Sequence, residues 1–122
     1  MSKTKNTQPV QPERVSNETL AWIRGLLEQG KRPEIAVIAG EVYTDEQERT
    51  MGAAFGAELA KAMLGERQPL ELDLEEDMPL LVMALRLVPK EKNEFALMTL
   101  HAFEVQLAYT NYANNVSQVV SK

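Results

Sequence analysis

The most regular hydrophobic pattern in the chain runs from Asn93 to about Val120. Apolar or aromatic residues occupy two heptad positions throughout this stretch, which contains neither proline nor glycine. Such a repeat predicts a long amphipathic helix of the kind that packs against another helix. One heptad position holds Phe95, Ala102, Tyr109 and Val116, and the other holds Met98, Val105, Tyr112 and Val119.

The two halves of this predicted helix differ in the faces that are apolar. Up to Ala108 further apolar residues (Leu97, Leu100, Phe103 and Leu107) lie outside the heptad positions, so we expect this half to belong to the core. Beyond Ala108 only the heptad positions stay apolar, and we expect a second copy of the chain to cover them, with a homodimer as the simplest assembly. The alternative cover is the chain's own first helix. The predicted interface consists of Met98, Val105, Tyr109, Tyr112, Val116 and Val119.

Two shorter patterns precede this helix. A stripe of Leu20, Ile23 and Leu27 predicts a first helix that begins at Ser16 and ends at Gly30. The apolar run 35–38 fits either a helix or a short buried strand. Helix is favoured because apolar residues recur at helical spacing through Val42.

A capping box at Thr44–Gln47 predicts the start of another helix, which runs to Leu64 and stops at Gly65. Gly52, Gly56 and Ala60 form a ridge of small residues on it. Because glycine inside a helix costs about 1 kcal/mol relative to alanine, the ridge predicts close approach by a second helix.

Leucines alternate with acidic residues over 70–75, which is typical of a half-buried strand. A short helix entered through Pro79 should follow, and it is apolar nearly all round, so it should be the most buried element. Its Arg86 would then need a partner among the preceding carboxylates. The alternative is a two-stranded hairpin made from 70–75 and 80–88.

Together these patterns predict a mainly α fold, namely a single-domain helical bundle of four or five helices over residues 15–122 with a long C-terminal helix. The alternative with the hairpin is an α+β fold. Residues 1–14 are polar, include Pro9 and Pro12 and show no period, so we expect a disordered N-terminal tail.

Composition narrows the function classes. The formal net charge is −5, and because residues 1–14 carry +2, the remainder carries −7. An acidic body repels phosphate backbones, so we expect no nucleic-acid binding except through the tail. No apolar run is long enough to span a bilayer. The absence of cysteine fits a cytoplasmic chain.

The candidate chemistry is sparse. His101 is the single histidine, and it precedes Glu104 at helical spacing, but the chain has no second such motif, no nucleophile elbow and no phosphate-binding loop. We therefore expect no catalytic residue, no metal site and no cofactor. The acidic run 71–77 fits both a solvated edge and a docking surface for a basic partner.

The sequence thus favours a small non-enzymatic protein-interaction module, such as an adaptor, inhibitor or accessory factor, that acts as a homo-oligomer through its C-terminal helix. Another protein is a further possible partner. The alternatives are an accessory factor in nucleic-acid transactions and a metal-binding protein or enzyme around His101.

Overall fold

The computed structural model describes residues 17–34 and 43–120, with side chains up to 116. Within these ranges it contains no strand and has four α-helices, with a short 3₁₀ turn at Lys90–Lys92 before the last of them. The predicted mainly α fold with a long C-terminal helix is confirmed. The expected cap at Ser16, the run 35–38 and the tail 1–14 lie outside the described residues. The helices are α1 (Asn17–Glu28), α2 (Asp45–Met63), α3 (Leu74–Arg86) and α4 (Asn93–Val120).

The predicted helix boundaries of α1 and α2 are confirmed where they are described. Gly30 and Gly65 follow the two helices, and both have a φ of 75°, a left-handed conformation that side chains with a Cβ rarely adopt. At the start of α2, the Thr44 hydroxyl accepts from the Gln47 amide at 3.0 Å, and the Gln47 side chain accepts from the Thr44 amide at 2.8 Å. This is the capping box that the sequence predicts.

Helix α3 is the most buried element, as predicted, with Met78 and every residue from Leu81 to Leu85 in the core. It begins earlier than predicted, at Leu74, so that Pro79 lies inside it. Asp73 caps it by accepting from the Glu76 amide at 2.8 Å, and the acids that follow favour the positive end of a helix. The predicted strand over 70–75 and the alternative hairpin with 80–88 are therefore wrong.

The extended segment before α3 pairs its backbone with side chains of α4 instead of with a strand. The Leu70 amide donates to Gln106 Oε1 at 2.8 Å, and the Leu72 amide donates to Thr110 Oγ1 at 3.0 Å. Glu71 is exposed and Leu72 is buried, so the alternation seen in the sequence is real. Gln106 and Thr110 thus pair with backbone groups of Leu70 and Leu72 that a neighbouring strand would otherwise pair with.

The ridge of small residues on α2 does bring a second helix close, and that helix is α3. A Cβ added at Gly52 would lie 2.7 Å from both the carbonyl carbon and the carbonyl oxygen of Met83. At Gly56 it would lie 3.7 Å from the Ala84 Cβ, which is ordinary contact. Ala60 is exposed and takes no part. Gly52 thus sets how closely the α2 and α3 backbones approach.

Arg86 does not pair with the acidic run, contrary to expectation. Its Nε lies 3.4 Å from Glu48 Oε1 on α2, and its Nη1 donates to the Pro33 carbonyl at 3.1 Å. The side chain is also partly exposed. Because it sits in the last turn of α3, its distance from the helix start puts the capping acids out of reach.

A second arginine, which the sequence analysis did not single out, ties three helix ends together. Arg32 donates from Nε to the Leu85 carbonyl at 3.1 Å and from Nη2 to the Val88 carbonyl at 3.2 Å. Its Nη1 donates to Asn93 Oδ1 at 2.7 Å, and the Asn93 amide group donates to the Leu27 carbonyl at 2.6 Å. Desolvation by burial lowers the pKa of Arg32. Arginine nevertheless stays protonated, and the carbonyls of Leu85 in the last turn of α3 and of Val88 just after it accept hydrogen bonds from the cation.

We expect Arg32→Lys to lower the free energy of unfolding by about 1 kcal/mol, because an ammonium group cannot replace the guanidinium fork at several acceptors. Urea unfolding followed by circular dichroism measures the change. The matched control is Arg67→Lys: Arg67 pairs with exposed Glu58, whose pKa it lowers, and exposed pairs contribute about 0–1 kcal/mol. Equal losses in the two variants would contradict a structural role for the Arg32 fork.

Candidate interaction surface

Helix α4 packs into the core through a stripe of residues that differs from the predicted heptad positions. Phe103 lies at its centre, and its ring centroid is 6.1 Å from that of Phe55 on α2. The polar Gln106 is buried beside this stripe, where its side-chain oxygen accepts a hydrogen bond from the Leu70 amide. The buried apolar residues on this face are Ala96, Leu100, Phe103 and Leu107.

The heptad positions themselves lie on the opposite side of α4. At 3.6 residues per turn, their mean direction is roughly 170° from that of the buried stripe. Ala102 is buried and Val105 is half-buried, but the larger members are exposed. The exposed fractions are 49% for Phe95, 60% for Met98, 54% for Tyr109, 70% for Tyr112 and 41% for Val116.

We call these heptad residues, from Phe95 to Val116, the outer stripe. All of the predicted interface residues with a described side chain belong to it, whereas the side chain of Val119 lies outside the described part. The prediction that the first half of the helix is core is right for Leu100, Phe103 and Leu107 and wrong for Phe95, because the outer stripe begins within that half.

The end of α4 extends past the other helices that the structure describes. Leu107 is the last buried residue among its described side chains, and every residue of 111–116 is exposed. Helix α1 contacts α4 through the ion pair between Arg24 and Glu104 and leaves Tyr109 and Tyr112 uncovered. The alternative in which α1 covers the stripe is therefore wrong.

The N-terminal part of the outer stripe borders an apolar groove of about 580 Å³. Met63 and Leu64, at the end of α2, are 43% and 70% exposed and form one wall. Phe95 and Met98 form part of the other, and buried Ala102 also lines the groove. The stripe and the groove therefore make one continuous apolar surface that joins α2 and α4.

This apolar surface sets α4 apart from an ordinary surface helix. Comparisons with known protein families, curated proteins and solved structures find no match to this chain.

Met63 and Leu64 were not predicted as surface residues of this kind. The signal for them in the sequence is the pair of large apolar residues in the last turn before the Gly65 stop, where a helix leaves the core.

His101 lies at the edge of the groove and is exposed. It does not pair with Glu104, since that carboxylate binds Arg24.

The other candidate sites from the sequence are the acidic run 71–77 and a metal site. In the acidic run, Asp73 and Asp77 cap α3 through the Glu76 and Asp73 amides, both at 2.8 Å. The described residues contain no group of three or more side chains placed to hold a metal ion. Within the same residues, no helix has both the length and the apolar character to cross a membrane.

Proposed function

We propose that this chain is a small non-enzymatic protein-interaction module, an adaptor, inhibitor or accessory factor, that acts as a homo-oligomer through α4. The dimer is the first assembly to expect. The observation that supports this is the outer stripe, which is apolar, continuous with a groove and turned away from the core. The lack of cysteine fits action in the reducing cytoplasm.

The size of the exposed apolar surface supports an interface. A fully exposed aromatic side chain presents about 200 Å², so Phe95, Tyr109 and Tyr112 together expose roughly 350 Å² at their 49%, 54% and 70% exposure. The exposed methionines, Leu64 and Val116 enlarge the patch further. The largest apolar patch on a typical monomer is about 300–600 Å² and is often functional, and a stable interface buries about 800 Å² per partner.

The distribution of charge favours a copy of the same chain as the partner. Two copies that each carry a net charge of −5 repel one another in general. Residues 105–121, however, contain no charged side chain, so this segment can meet its own copy without like-charge repulsion. A basic partner, by contrast, would gain nothing from an uncharged surface.

We expect Tyr112→Glu to weaken self-association at least tenfold, because a carboxylate in the interface would lose its hydration without a partner. Sedimentation of the wild type and the variant over a concentration series measures the effect. Asn114→Glu is the matched control, since it places the same charge on another face of the same exposed stretch and should leave association unchanged.

Two results would contradict the proposal. A wild-type chain that remains monomeric at high micromolar concentration has no such interface. Equal weakening by Tyr112→Glu and Asn114→Glu would mean that added charge, and not its place on the outer stripe, opposes association.

A further inference from the structure

We infer that the partner on this surface is a second copy placed antiparallel, so that the exposed end of each α4 lies along the groove of the other molecule. This inference rests on the proposed function and specifies its geometry. It commits the groove at Met63, Leu64 and Met98 to one occupant, namely the stretch of the second copy that contains Tyr109, Tyr112 and Val116.

The two ends of the outer stripe are unlike each other. At the N-terminal end the stripe lies beside the groove, where Met63 and Leu64 stand next to it and the small Ala102 is buried. At the C-terminal end the helix extends past the other described helices and exposes two tyrosines, Tyr109 and Tyr112. A two-fold axis perpendicular to the helices places the groove end of each copy against the tyrosine end of the other. The same contact then occurs twice in the dimer.

The order of large and small residues along the stripe also favours this direction. With Val105 opposite Tyr109 of the second copy, Ala102 faces Tyr112 and Met98 faces Val116. Two of these layers pair a tyrosine with a smaller residue, and none pairs two tyrosines or two alanines. Well-packed interfaces need such alternation because voids and overcrowding are both destabilising.

A parallel pair in register would instead match each residue with itself. Tyr109 would meet Tyr109 and Tyr112 would meet Tyr112, while Ala102 would meet Ala102 and leave a gap between them. The acidic bodies of both molecules would also lie at the same end of the helix pair, where their net charges repel. The antiparallel pair places each body beside the uncharged segment 105–121 of the other copy.

The overlap is long enough to support an interface. From Met98 to Val116 the stripe covers 18 steps, or about 27 Å at 1.5 Å per residue. In the antiparallel arrangement this whole length is paired, and the exposed side chains of Met63 and Leu64 are covered as well. The paired stripe, together with Met63 and Leu64, supplies the apolar area of the interface, for which about 800 Å² per copy is a standard size.

Disulfide mapping tests the direction cleanly because the chain has no cysteine of its own. Val105→Cys and Tyr109→Cys are prepared separately, oxidised alone and oxidised as a mixture. A disulfide needs Cα atoms within about 7 Å. The expected result is a covalent dimer in the mixture and little in either variant alone. Met98→Cys mixed with Val116→Cys should behave the same way, and Asn114→Cys mixed with Tyr109→Cys gives the background.

The outcomes separate the two claims. If each variant cross-links with itself, the dimer is parallel and the inference is overturned while the proposed function stands. A dimeric mass under reducing conditions, with mixed pairs no better than background, also overturns the inference. A monomeric mass for the wild type and the variants overturns the proposed function itself. Mass is measured before oxidation, so a variant that fails to fold is recognised and the second pair decides.

Discussion

Phe103→Ala is expected to lower the free energy of unfolding by about 3–5 kcal/mol, the usual cost of removing a large side chain from a packed core. Phe103 has no exposed surface and packs against Phe55 at the junction of α2 and α4. The loss combines the transfer free energy of the ring with the cavity that remains, because the surrounding helices relax only partly.

Phe95→Ala is the matched control, since it makes the same chemical change on the same helix at a side chain that is 49% exposed. It should cost about 1 kcal/mol or less in the monomer. Both variants are compared by urea unfolding in a Tyr112→Glu background, which removes the contribution of association. Similar losses at both positions would contradict the assignment of Phe103 to the core face and Phe95 to the outer stripe.

The sequence was sufficient to predict the features of the fold that depend on local chemistry. The capping box at Thr44 and the left-handed glycines at Gly30 and Gly65 follow from hydrogen bonds and steric limits that act within a few residues. The close approach of a second helix to the ridge that contains Gly52 also followed from the sequence, because a glycine in a helix is costly unless it is needed for contact. That this helix is α3 did not.

The face that α4 buries could not be predicted from its own pattern. In its first half nearly every side is apolar, so periodicity does not separate Ala96, which is buried, from Phe95, which is largely exposed. The polar residues of α4 do not mark its exposed faces either. Gln106 and Thr110 lie toward the fold because the extended segment at Leu70 and Leu72 needs partners for its backbone, and that need arises only in the tertiary structure.

Arg32 escaped the sequence analysis for a related reason. Its acceptors at Leu85 and Val88 are backbone carbonyls, which every residue has, so no side-chain pattern marks them.

The candidate surface was predicted in part. The stripe from Met98 to Val116 came from the heptad repeat, but the groove wall at Met63 and Leu64 depends on where α2 ends beside α4.

Gly52→Ala is expected to lower the free energy of unfolding by about 2 kcal/mol. The added Cβ would lie 2.7 Å from two backbone atoms of Met83, a separation that requires α2 and α3 to move apart. Overpacking of this kind costs about 1–3 kcal/mol, and we place Gly52 at or beyond the upper end because the obstacle is backbone that no rotamer change can relieve. The better helix propensity of alanine returns about 1 kcal/mol. Thermal and urea unfolding both measure the net loss.

Gly56→Ala, one turn along the same helix, makes the same change where the nearest contact is the Ala84 Cβ at 3.7 Å. Only the propensity gain should then operate, so this variant should be more stable than the wild type by about 0.5–1 kcal/mol. The opposite signs of the two substitutions are the decisive feature. If both variants are stabilised, α3 does not approach α2 closely at Gly52. If both are destabilised, the close contact extends along the whole ridge, and Gly56 limits the helix spacing as well.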